Sequence, residues 1–147
     1  METIEFNQLI EKVKKENPMI FCLESDCKAN ITKIEMIENY YGIVLPKSYK
    51  EFLMQYGGGY FAYTIVYSAD DESPYYLISN VDKQFSKNRK YLPVFDFETG
   101  DLAGFKIEDG VCEDSILIYD HEEDKISDTG LDFYTTLVKY GLKLSNM

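Results

Sequence analysis

The chain has 147 residues, 45% of them hydrophobic, with 13 Tyr, 9 Phe, no Trp and a formal net charge of -11. That length fits one domain, 1–147, and the apolar and aromatic content is ample for a core, which excludes a disordered chain. The charge disfavours direct binding to nucleic acid or to membrane surfaces, which are themselves anionic.

Glu2, Glu5 and Glu11 stand where a secretion signal needs a basic stretch and then an apolar one. The longest near-apolar run, Tyr60 to Tyr67, is too short to span a bilayer as a helix. A cytoplasmic protein is expected. Cys22, Cys27 and Cys112 are odd in number and lack Cys-x-x-Cys spacing, which reads as free thiols in a reducing compartment.

In chain order, Thr3 is placed to cap a first helix that buries Phe6, Leu9 or Ile10, and Val13 and ends near Asn17-Pro18. Met19 to Leu23 reads as a short extended piece. Thr32 and Glu35 have capping-box spacing for a second helix, with Asn30 as the alternative start. Ile34, Ile37 and Tyr41 fall at helical spacing, Gly42 suits the left-handed residue that ends a helix, and Ile43 folds back on the last turn. Pro46 stands at the first position of the next helix, whose Tyr49, Phe52, Leu53 and Tyr56 follow at i, i+3, i+4 and i+7 before Gly57, Gly58 and Gly59 stop it.

Tyr60 to Tyr67, aromatic and β-branched, predicts a strand. Asp70 to Pro74 breaks it, Tyr75 to Ile78 reads as another strand, and Val81 and Phe85 allow a helix over Ser79 to Arg89. Leu92 to Phe97, Leu102 to Ile107 and Ser115 to Tyr119 predict strands joined by short turns, the pattern of an antiparallel meander. Leu131 or Asp132 opens a last helix carrying Phe133, Leu137 and Tyr140. This order predicts an α+β fold: N-terminal helices, an antiparallel-rich twisted sheet of about five to six strands, and a closing C-terminal helix.

The charge is concentrated. From Asp96 to Asp132 there are 13 acids against Lys106 and Lys125, while the other 110 residues hold 13 acids and 13 bases. Most of these acids lie in turns, where carboxylates also serve solubility and turn geometry. Charge of one sign in one quarter of the chain also steers a partner of the other sign, here a basic protein.

No catalytic constellation is legible. His121 is the single histidine, and no nucleophile-elbow motif accompanies it, so it reads as a surface turn residue whose proton affinity is raised by Glu122, Glu123 and Asp124. Asp96, Glu98 and Asp101 lack the spacing of a calcium loop. The three glycines follow a helix and precede a strand, the reverse of a phosphate-binding loop. No metal and no cofactor is expected.

The run Ile34-Glu35, Gly42-x-x-Leu45-Pro46, Tyr49-x-x-Phe52-Leu53 and Gly57-Gly58 resembles the N-terminal signature of the SUKH superfamily. Tyr91 to Asp96 with Gly100-Asp101-Leu102, and Ile116 to Glu122 with Phe133 and Leu137, are similar to its later strands, turns and helix, so the resemblance spans roughly residues 28 to 140. It implies a non-enzymatic immunity protein that binds and neutralises a cognate polymorphic toxin domain. Many such toxins are nucleases with basic surfaces. The alternative it implies is a regulatory scaffold bound to an endogenous partner such as a cell-wall synthesis enzyme. The expected contacts are Asp70, Asp71 and Glu72; Asp96, Glu98 and Asp101; Glu122, Glu123 and Asp124; and Tyr63 or Tyr67 as anchors.

Overall fold

The computed structural model describes residues 1–23 and 25–144. Helix α1 (Thr3–Glu16) buries Phe6 and Ile10 along its apolar stripe and ends just before Pro18. Thr3 does not cap it. It lies in the first turn, and its hydroxyl donates to the Glu51 carboxylate. The segment expected to be extended forms a 3-10 turn, Pro18–Phe21, because the fixed φ of Pro18 suits the first position of a helical turn.

Asn30, the alternative start, is the cap of α2 (Ile31–Tyr41): its side chain accepts the Lys33 N–H at 2.9 Å. Gly42 ends α2 at φ 66°, and Ile43, buried, returns its N–H to the Glu38 carbonyl at 3.0 Å. Pro46 then precedes α3 (Lys47–Gln55), which buries Tyr49, Phe52 and Leu53. At the corner beyond it, Gly57, Gly58 and Gly59 all have positive φ (89°, 101° and 74°). A Cβ on Gly57 would lie 2.2 Å from the Asp26 carbonyl oxygen, while the Asp26 N–H donates to the Gly58 carbonyl at 2.8 Å. These glycines stop a helix and also let a neighbouring segment lie directly on the corner.

Six antiparallel strands follow in sequence order across one sheet: β1 (Gly59–Phe61), β2 (Thr64–Val66), β3 (Tyr91–Asp96), β4 (Leu102–Glu108), β5 (Val111–Asp120) and β6 (Lys125–Asp128). The α+β order is the one the sequence predicts. Three details differ. The single strand expected over Tyr60 to Tyr67 is a tight hairpin, folded at Ala62-Tyr63 with Ala62 at φ 55°, a turn that no Gly or Asn announces. The strand expected at Tyr75 to Ile78 is the start of α4 (Leu77–Lys87), because Leu77 extends the stripe of Val81 and Phe85 back by one helical turn. β6, four residues long, is additional.

The closing helix α5 (Phe133–Thr136) is capped by Asp132, whose side chain accepts the Thr135 N–H at 2.8 Å, and continues as a π-helical turn, Leu137–Gly141. Phe133 anchors it, with ring centroids 5.3 Å from Phe52, 5.2 Å from Phe95 and 5.9 Å from Phe105. Phe6 stacks on Tyr134 at 4.4 Å. Arg89, the single arginine, is exposed but tethered to the fold: its guanidinium lies 4.5 Å from the Phe85 ring and donates to the Tyr41 carbonyl.

Candidate functional site: an acidic rim at one end of the sheet

Alternate turns of an antiparallel meander fall at the same end of the sheet. The register therefore brings the β1–β2 turn (Ala62, Tyr63), the β3–β4 turn (Phe97 to Asp101) and the β5–β6 turn (His121 to Asp124) to one end, and puts the β4–β5 turn at the other. The contact that joins the two acidic turns is between His121 and Asp101. The Asp101 carboxylate takes the His121 backbone N–H at 3.0 Å and lies 2.6 Å from its ring Nδ1. The imidazole rests on Gly100, where a Cβ would come within 2.8 Å of it. The bond to Asp101 raises the proton affinity of His121, with Glu122 and Asp120 adding to it, and the same bond lowers the pKa of Asp101.

The carboxylates of the rim are oriented by hydroxyls and backbone amides. Tyr60 donates to Glu98 at 2.6 Å, Tyr119 to Asp124 at 2.6 Å and Tyr67 to Asp96 at 3.4 Å. These bonds raise the pKa of Tyr60 and Tyr119, and burial followed by the Asp96 charge raises that of Tyr67. Asp96 also accepts the Glu98 N–H at 2.8 Å, and Asp120 accepts those of Glu122 and Glu123 at 2.9 and 3.3 Å. The Asp96–Glu98 and Asp120–Glu122 bonds are Asx turns, which explains why Asp stands at 96 and 120; Glu98 and Asp124 adopt positive φ (61° and 50°) in the same turns. Glu122 and Glu123 are left exposed.

Asp70, Asp71 and Glu72 are elsewhere. They lie in the β2–α4 connection, beyond the other end of β2, where Asp71 pairs with Lys33 at 3.1 Å. Asp70 accepts the N–H groups of Cys27 and Glu72 at 3.2 and 3.1 Å, which outweigh the opposing effect of burial and lower its pKa. Tyr63 is 57% exposed in the β1–β2 turn, with the Lys143 ammonium 5.6 Å from its ring. Tyr67 is 4% exposed, so its ring belongs to the core and only its hydroxyl reaches the rim. Asp114, one of the 13 clustered acids, serves the fold by accepting the Phe133 N–H at 2.8 Å and the Ser48 hydroxyl at 2.9 Å.

Residue-by-residue reading of the sequence missed three members of the rim: Tyr119, Asp120 and the cross-turn role of His121. The available signal is turn parity, since acidic turns separated by two strands of a meander share an end.

Asp101, Asp120 and His121 each offer one ligand atom, all within 4.8 Å of one another, and are the groups here that could hold a metal ion. Among the described residues His121 has hydrogen bonds to Asp101 alone, so no hydroxyl or thiol is positioned for it to activate. The arrangement is suited to holding cationic groups. Among the described residues no helix is long and apolar enough to cross a membrane.

A helix-flanked, six-stranded antiparallel meander preceded by the Gly-x-x-Leu-Pro corner defines a SUKH-type α+β domain. A family model described as SUKH_6, SMI1-KNR4 cell-wall, matches residues 31–134, and the chain belongs to that family. No curated protein matches the chain.

Proposed function

We propose that the chain is a non-enzymatic immunity protein that binds a cognate toxin domain and neutralises it by setting its acidic rim against the toxin's cationic surface. One observation carries this reading: the His121–Asp101 contact joins two acidic turns into one rim whose carboxylates are already oriented. A nuclease toxin must carry a basic surface to grip phosphate, and the rim offers it carboxylates in place of that phosphate. Fixed acceptors need little reorganisation on binding, so the attraction appears in the association rate as well as in the affinity. The reading is tested by exposing cells to the product of the adjacent gene, with and without this chain, and by following association of the two proteins against ionic strength. Protection, with an association rate falling steeply as salt rises, is expected. A salt-insensitive rate would remove the electrostatic mechanism, and loss of protection would remove the immunity role.

A second reading draws on the family description, which names the cell wall. It makes the chain a regulatory scaffold that offers the same rim to an endogenous wall-synthesis enzyme. Co-purification of such an enzyme, in a genome without an adjacent toxin gene, would favour it.

A further inference from the structure

Among the described residues β6 is the outer strand of the sheet, pairing with β5 alone, and all four of its residues are exposed. The Thr129 N–H donates to the Ile116 carbonyl, which sets the phase of the ladder. With Ile118 opposite Ser127 and Asp120 opposite Lys125, residues 125 and 127 turn their backbone groups toward β5, and Ile126 and Asp128 turn theirs outward. Outward backbone groups on an edge strand are where an added strand pairs. On the side-chain face, Ile126, 39% exposed, ends a cross-strand row after Leu102 and Tyr119. It is flanked by Asp128 and by Asp124, which the Tyr119 hydroxyl holds on that same face. The edge therefore presents acid, isoleucine, acid on one face, with Lys125 and Ser127 on the other.

We propose that this edge receives an extended cationic segment of the partner protein as a seventh strand, with a β-branched side chain against Ile126 and a basic side chain against each of Asp124 and Asp128. This rests on the reading of the rim as a surface for a cationic partner. Charge decides against a second copy of the chain. Two-fold pairing centred on Ile126 would set Asp124 of each copy opposite Asp128 of the other, in a protein of net charge -11. A cationic strand reverses the sign of both contacts.

The test titrates the full chain with the heptapeptide Ser-Lys-Thr-Val-Thr-Lys-Ser and reads affinity and amide hydrogen exchange. The peptide is expected to bind and to slow exchange at Ile126 and Asp128. Ile126→Pro removes an outward N–H while leaving the β5 ladder intact and should weaken binding at least tenfold, as should Asp124→Asn with Asp128→Asn. Ile126→Val should bind as the parent does. A peptide N-methylated at its valine should lose binding to the unmodified protein, which keeps the test decisive if the proline variant folds poorly. Undiminished binding by the proline variant and by the methylated peptide, with loss in the Asn double variant, would overturn strand addition while leaving the cation-binding rim standing. No binding of the parent peptide, or edge-to-edge self-association of the chain, would also overturn strand addition, and the salt dependence of toxin association would then judge the rim independently.

Discussion

The helix-packed side of the sheet and its acidic rim are built from different chemistry. Around Phe52 the rings of Phe6, Tyr56, Phe61 and Phe133 all stand within 6.5 Å, centroid to centroid, and Phe52 itself is fully buried. At the rim, order comes from hydroxyl–carboxylate and Asx-turn bonds between half-exposed groups. Removing a packed ring forfeits burial and leaves a cavity, whereas removing a rim carboxylate returns the site to water. The first region should set how stable the chain is, and the second what it meets.

The sharpest way to break that contrast is Phe52→Ala, expected to cost about 3–5 kcal/mol in urea unfolding. A smaller loss would mean that the aromatic cluster collapses around the gap. Gly57→Ala should cost about 3 kcal/mol, combining an unfavourable φ with the clash at the Asp26 carbonyl. Asn30→Ala, which removes the α2 cap, should lower stability by about 1 kcal/mol, while Asn30→Asp should restore most of it. On the rim, Glu122→Gln with Glu123→Gln should leave the unfolding midpoint within about 0.5 kcal/mol of the parent while slowing association with a cationic partner in stopped-flow measurements. A large stability change there would erase the division between the two regions.

The smallest expected effect is a pH slope. The folded pKa of His121 is raised above its unfolded value, so its contribution to stability is full below the ordinary histidine pKa and fades as pH rises through the raised value. Asp101 is lowered, and its contribution fades as pH falls through that lowered value. Urea midpoints measured across the histidine range should decline with rising pH in the parent and lose that slope in His121→Gln.

The helical half was legible because helices declare themselves locally. Asn30, Gly42, Pro46 and the Tyr49, Phe52, Leu53 spacing each act within one or two turns of chain. The strands were legible as apolar runs, but their breaks were not where local rules put them. Ala62 takes a left-handed turn that its own side chain disfavours, and the Tyr63 N–H is bonded to Gly141 at the far end of the sequence, at 3.0 Å. α4 begins two residues before the expected Ser79, at Leu77, because Tyr75 and Tyr76 carry strand propensity whereas tertiary packing of Leu77 decides the matter. At the rim the sequence showed which carboxylates were numerous but not which converge. Convergence depends on strand count and register, and Asp70 to Glu72, equally acidic, end up beside Lys33 instead.

The order of the sheet also bears on how such a surface changes over time. Each hairpin is anchored by its own ladder, so exposed turn positions such as Glu122 and Glu123 can be exchanged without moving either frame, whereas Asp101 and His121, bonded to each other across the two turns, are coupled. Single exchanges are therefore tolerated at the free carboxylates of the two joined fingers, while a change at Asp101 or His121 calls for a matching one across the gap, and the helical half is left out of both.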